Sequence, residues 1–195
     1  YNCTNYGIYA TNGFVEGKNV VINNCGEASF QANFGGSYDF THCTFANYWA
    51  RPNQTCVVLS DDSINNIPTP LLKADFKNCI VYGSTNIGIS LTKEGTVFNY
   101  NFDHCLIKFI DVGNQFSTNQ LYNFSGPNYI NCLIATSSSE NKPDFKDGRK
   151  NKLIIGSDSA AKGTAKNSYS TFNDILNNPR NGATDIGAYN WITFD

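Results

Sequence analysis

The hexapeptide Phe76-Lys77-Asn78-Cys79-Ile80-Val81 returns, with substitutions, along most of this chain. Its order is aromatic, any residue, Asn or His, Cys, any residue, apolar. The same order stands in Phe40-Thr41-His42-Cys43-Thr44-Phe45, in Phe102-Asp103-His104-Cys105-Leu106-Ile107 and in Tyr129-Ile130-Asn131-Cys132-Leu133-Ile134. Looser copies are Asn2-Cys3-Thr4 and Val21-Ile22-Asn23-Asn24-Cys25, so six of the seven cysteines fall in one pattern. The gaps between successive copies are 22, 18, 36, 26 and 27 residues. A recurrence of that size is one rung of a coil-stacked solenoid. The 36-residue gap holds an extra polar, Pro-bearing stretch, Asp61 to Pro70, which reads as a loop inserted into one rung.

The chemistry of the repeat predicts an all-β fold, a right-handed parallel β-helix of about five rungs. Asn19 to Ile22, Val57 to Ser60, Ile87 to Leu91 and Leu106 to Ile110 are β-branched or apolar runs bounded by turn residues, and read as strands. No segment keeps a 3.6-residue apolar period with helix caps. In a stacked coil, equivalent residues lie about 4.8 Å above one another, so like residues form ladders. Cysteine is small and apolar, which suits an interior ladder of Cys3, Cys25, Cys43, Cys79, Cys105 and Cys132. Asparagine tolerates left-handed backbone angles, which suits the turns. Seven cysteines cannot all pair within one chain, and neither Cys-x-x-Cys nor zinc-finger spacing occurs. Reduced ladder cysteines are the main reading, with one or more disulfides, or a metal or nucleophile role, as the alternatives. Cys56, in Thr55-Cys56-Val57-Val58-Leu59, reads as another buried strand residue.

Composition agrees. The chain has 195 residues, enough for one domain with a stable core. It holds 28 Asn, and only 15% of its residues are charged against roughly 25% in ordinary soluble domains. Charges stacked on every rung would repel one another. The net charge of −2 gives no basic footprint for nucleic acid or an anionic membrane. No apolar run approaches the roughly 20 residues that span a bilayer. The repeat opens mid-rung at Asn2-Cys3 without a polar cap, which predicts upstream rungs or another domain of the same protein. Residues 1–136 are expected to carry the rungs. Residues 137–195, rich in Ser and Lys and without the repeat, are expected to be a loop-rich C-terminal cap folded over the last rung.

The tail carries a resemblance. Pro143-Asp144-Phe145, Asn151-Lys152-Leu153, Ser159-Ala160-Ala161-Lys162-Gly163, Asp174-Ile175-Leu176-Asn177-Asn178-Pro179-Arg180 and Asp185-Ile186-Gly187-Ala188-Tyr189 follow one another in order. This ending resembles secreted right-handed β-helix repeat proteins of Bacteroidetes type that finish in Asp-Ile-Gly-Ala-Tyr-Glu. Phe98-Asn99-Tyr100-Asn101-Phe102-Asp103-His104-Cys105 is similar to rungs of that group. Two positions depart from its pattern: Asn190 stands where Glu is usual, and Asn177 where Gly is usual. The resemblance implies the β-helix fold, an extracytoplasmic location (secreted, periplasmic or outer-surface) and a link to polysaccharide or cell-surface glycans. Relatives with this solenoid include polysaccharide lyases and glycoside hydrolases, but fold alone does not carry function.

Site candidates come from residues. Lyases of this type need a basic residue and often an acidic Ca²⁺ cluster, and hydrolases need paired carboxylates. Asp61-Asp62 is the adjacent acidic pair, where the strand ending at Ser60 meets the insertion. It fits a calcium or catalytic pair, or a solvated turn. Lys93-Glu94-Gly95 follows the equivalent strand one rung later and is expected near Asp61, as a site or as a turn with a surface ion pair. His42 and His104 take the Asn position of the repeat, two rungs apart, too far to share a metal ion. Tyr48, Trp49 and Arg51 offer aromatic faces and a carboxylate-binding guanidinium for a sugar, with Trp49 as flank cover in the alternative. Trp191 is expected in the core of the cap. Gly187 is read as a close approach, with Asp185 or Arg180 bonding backbone. The expected function is an exported, glycan-associated module with a binding or surface role and no complete catalytic set. A lyase or hydrolase with part of its site elsewhere, and a structural or adhesive spacer, are the alternatives.

Overall fold

The residue before each repeat cysteine sits in the left-handed backbone region. Asn2, Asn24, His42, Asn78, His104 and Asn131 have φ of 62°, 57°, 51°, 51°, 52° and 49°. Each therefore turns the chain sharply between two short strands, at a position where β-branched or bulky residues are strained. Eleven of the fifteen non-glycine residues with positive φ among the described residues are Asn. Eleven of the 28 Asn thus mark left-handed corners.

A computed structural model describes residues 1–50, 52–64 and 67–194. In chain order the strands are β1 (Tyr6–Lys18), β2 (Val21–Ile22), β3 (Ala28–Thr41), β4 (Thr44–Asn47), β5 (Thr55–Ser60), β6 (Ser63–Ile64), β7 (Ile67–Pro68), β8 (Leu71–Lys77), β9 (Ile80–Gly83) and β10 (Ile89–Thr92). They continue as β11 (Asn101–Asp103), β12 (Leu106–Lys108), β13 (Tyr129–Ile130), β14 (Leu133–Ala135), β15 (Phe145–Asp147) and β16 (Lys152–Ile155). The fold is all-β with mostly parallel, curled sheets, the larger of them a half-barrel. That sheet runs β10-β5-β3-β8-β11-β13, with β1 also on β3; the second runs β14-β12-β9-β4-β2. The long β3 bends at Phe34-Gly35-Gly36, all at positive φ, so its first half pairs with β5 and its second with β8. Among the described residues the antiparallel strand pairs are the short β6–β7 and β15–β16, beside two isolated antiparallel bridges, Ile87 to Phe109 and Asn173 to Pro179. The first is a small hairpin inside the expected insertion.

Parallel register puts equivalent repeat residues opposite one another. Phe40 faces Phe76, Phe76 faces Phe102, and Phe102 faces Tyr129. Their rings stack at 5.5, 4.7 and 5.6 Å between centroids. The three Phe are fully buried, each contributing roughly 1.5–3 kcal/mol from burial. The cysteines fill the inner side of the neighbouring corner. Cys3 bridges in parallel to Cys25. The thiols of Cys79, Cys105 and Cys132 lie 3.5, 3.2 and 3.2 Å from the carbonyls of Phe40, Phe76 and Phe102, one layer back. All seven cysteines are free thiols. Burial pushes Cys25 up to about 11 and Cys56 up to about 12, so neither is a thiolate nucleophile near neutral pH. Like charges do share a column, where Glu16 lies in register with Asp39. Asp39 lies in register with Asp75, and Lys77 Nζ sits 2.9 and 3.6 Å from the two carboxylates, with Lys73 beside it.

Residues 137–195 meet the last layer at β14, where Asn141 Nδ2 donates to Ile134 O at 2.8 Å. The aromatic end is covered by residues 111–128, where Phe116, Tyr122 and Phe124 gather around Phe109. Tyr122 Oη accepts from Leu91 N at 2.9 Å, and Tyr129 Oη donates to Leu121 O at 2.7 Å. The tail then runs back along the flank of the second sheet. Asn23 Nδ2 donates to Gly148 O at 2.7 Å, Gly187 N to Asn78 O at 2.8 Å, and Ala188 N to Thr44 Oγ1 at 3.1 Å. A Cβ on Gly187 would fall 2.6 Å from Ile80 Cδ1, so this contact demands glycine. Arg180 donates to the Gly187 and Asp185 carbonyls and to Asn190 Oδ1. Asn177 has φ of 65°, which explains why Asn serves where the resembled group has Gly. Trp191 is not core: it is exposed, with Lys162 Nζ 3.7 Å above its ring.

Candidate functional site

Asparagine side chains shape the corner after β4. Asn47 is fully buried; its Oδ1 accepts from Cys25 N at 3.1 Å and Trp49 N at 3.5 Å, and its Nδ2 donates to Cys25 O at 2.8 Å. Asn23 Oδ1 accepts from Tyr48 N at 3.1 Å. These bonds set the backbone of Tyr48-Trp49-Ala50 against the stack. The tail then seals one side. A Cβ on Gly148 would lie 2.6 Å from the Tyr48 ring, and Phe145 meets that ring edge-on at 6.1 Å. Burial raises the Tyr48 phenol above its ordinary value, keeping it protonated.

Tyr48, Trp49 and Ala50 form one wall of a groove of about 830 Å³. Ser84 and Thr85, after β9, form another, and Asn2, Asn24 and Arg149 complete it. Asn24 Nδ2 donates to Asn151 Oδ1 at 3.0 Å and Asn2 Oδ1 at 3.2 Å, which docks the tail on the left-handed corners. Gln54 Nε2 donates to Ser84 Oγ at 2.8 Å and to the Trp49 carbonyl. Asn24 Oδ1 and Gln54 Oε1 are buried acceptors without a protein donor. From its described residues the groove thus offers aromatic surface, amides, hydroxyls and the Arg149 guanidinium. Arg51 lies outside the described residues. Arg149 escaped the sequence reading, because only the fold of the tail brings it to Trp49; the charged Gly148-Arg149-Lys150 run was the one signal.

The acidic candidates lie at a different corner, between β5 and β8. Asp61 is fully buried, and its carboxylate accepts from Glu94 N at 2.6 Å and Gly95 N at 2.8 Å. The structure therefore brings Asp61 and Lys93-Glu94 together as expected of neighbouring layers, but as a backbone clasp. Asp61 is buried rather than a solvated turn residue, and each of its carboxylate oxygens accepts a backbone amide. Asp62 contributes its carbonyl to Thr69 Oγ1 at 2.9 Å. Lys93 and Glu94 are exposed, and Glu94 accepts from Ser63 Oγ at 2.8 Å. Among the described residues no three His, Cys, Asp or Glu side chains gather as a metal site.

His42 and His104 differ in partners. His42 bonds Gly187 O and Asn78, while His104 Nδ1 lies 2.5 Å from Asp103 Oδ1. Asp103 also accepts from Tyr169 Oη at 2.6 Å and Lys166 Nζ at 3.2 Å. Burial alone would raise the Asp103 carboxyl, but bonds from Tyr169, His104 and Lys166 outweigh it and hold it below the usual range. This cluster latches the tail onto β11 and was not legible in sequence, since Lys166 and Tyr169 lie 62 or more residues from Asp103 and His104.

No protein-family model, curated protein or solved structure matches this chain. Among the described residues, no helix is long and apolar enough to cross a membrane.

Proposed function

We propose that this chain is a right-handed parallel β-helix module, exported from the cell, whose Tyr48–Trp49 groove binds a glycan. The observation that carries the reading is the groove itself. An indole face, side-chain amides and hydroxyls line a space within the roughly 300–1,000 Å³ of small-ligand sites. Sugars present apolar C–H faces that stack on such rings, and hydroxyls that pair with Asn and Ser or Thr groups. The parallel ladders and left-handed corners support the β-helix reading, and the tail motifs support export. A lyase or hydrolase draws no support from Asp61, whose carboxylate is occupied.

The test is a glycan-panel binding screen on the whole chain, with mass detection of cleaved products, followed by titration of Trp49→Ala. Binding without cleavage, weakened at least about tenfold by the substitution, is the expected result; that loss corresponds to about 1.4 kcal/mol. Retained binding in Trp49→Ala would move the site elsewhere, and cleavage would restore an enzyme.

A further inference from the structure

We infer that the glycan is anionic, bearing uronate carboxylates or sulfate esters, and that Arg149 holds its charge. This rests on the glycan reading of the same groove and names the class of sugar.

Three observations carry it. First, among the described residues no Asp or Glu lines the groove, although Asp and Glu outnumber Lys and Arg by 16 to 14 in the chain. Second, Arg149 is exposed and makes no salt bridge among the described residues, while its carbonyl accepts from Asn24 Nδ2 at 3.5 Å. Among the described residues its guanidinium is the sole cation of the lining, with no carboxylate there to neutralise it. The neighbouring Lys150, by contrast, reaches Asp147 at 3.4 Å. Third, the segment that presents Arg149 is basic. Lys146, Arg149, Lys150 and Lys152 fall within seven residues whose single acid is Asp147, and all four are exposed.

Charge is therefore segregated: a basic hairpin borders an aromatic groove in a chain of net charge −2. A guanidinium presents paired N–H donors that match a carboxylate or sulfate in two parallel bonds. A neutral sugar would use the indole and the amides but leave that fork unmatched. Arg149 is held close to Trp49 through the tail's bonds to Asn23 and Asn24, so one sugar residue can stack while its anionic group reaches the fork.

The test uses matched pairs on the whole chain: oligogalacturonate against its methyl ester, and chondroitin sulfate oligosaccharide against its desulfated form. The acidic member of at least one pair is expected to bind roughly tenfold more tightly at low salt, with the preference shrinking as ionic strength rises. Arg149→Gln should bring that ratio close to one, whereas Lys18→Gln, far along β1 and paired with Glu16, should leave it intact. Equal binding of acidic and neutral members, or an unchanged ratio in Arg149→Gln, overturns the inference while the glycan reading stands. Binding of neither member of any pair, nor of any other glycan in the panel, removes both.

Discussion

His42→Asn should free the protein of an acid sensitivity built into its core. His42 is fully buried at φ of 51°. Lys166 N donates to Asn78 Oδ1 at 2.8 Å, which fixes that amide so that its Nδ2 faces His42 Nε2 at 3.0 Å. Nε2 must then accept, and Nδ1–H donates to Gly187 O at 3.3 Å, a tautomer assigned from the partners. Protonation would destroy the Asn78 bond. Burial, followed by the nearby Arg180 charge, lowers the His42 pKa from 6.5 to about 3. The folded value is depressed, so the unfolded chain binds the proton first. The stabilisation is complete above pH 6.5 and is lost as pH falls toward the folded value. With an unfolded value near 6.5, the unfolded chain gains about 2 kcal/mol from protonation at pH 5 and about 0.2 kcal/mol at pH 7. His42 should therefore remove about 2 kcal/mol of stability across that interval, before most carboxylates titrate. Asn fits the corner, as Asn24, Asn78 and Asn131 do at φ of 57°, 51° and 49°. Equilibrium urea unfolding of both proteins near pH 7 and pH 5 gives the difference of differences; His104, the second of the two histidines, cancels. Equal losses in the two proteins would refute a neutral, buried His42.

Two further outcomes follow from packing and from the Asp61 clasp. Phe76→Ala opens a cavity between the Phe40 and Phe102 rings and should cost about 3–5 kcal/mol in urea unfolding, whereas Phe172→Ala, at 90% exposure, should stay within about 0.5 kcal/mol. Similar losses at the two positions would refute the stacked aromatic ladder. Asp61→Ala strands the Glu94 and Gly95 amides and should lower stability by roughly 1–3 kcal/mol, while Ca²⁺ leaves the melting temperature of the unaltered protein where it is. A calcium-dependent rise in melting temperature that Asp61→Ala abolishes would reinstate the cation.

The legible part of the fold was local. A left-handed residue followed by a small thiol and an apolar strand is a self-contained corner, and its chemistry repeats wherever the chain turns inward. The recurrence of Asn78-Cys79 and its relatives therefore showed in the sequence, as did the close approach at Gly187. The strand ends were less legible: Asn19 belongs to a corner at φ of 52°, and the run expected at Ile87 begins as strand only at Ile89. The docking of the tail along the flank was not legible, for a physical reason. The tail's motifs show how it folds on itself, but its docking depends on Asn23, His42 and Asn78, residues more than 80 positions away.

The sequence by itself determined parallel stacking, the reduced cysteine column and the asparagine corners, because each follows from the size and backbone preference of a residue at its own position. Tertiary structure decided what the polar residues do. Asp61 became a buried clasp only because the next layer aims two amides at it. Arg149 came to border Trp49 only because the tail returns along the flank, beneath which Tyr48 meets Gly148. A charged side chain carries no sign of its partner in its own neighbourhood of sequence; burial and distance, which choose that partner, exist only once the chain has closed on itself.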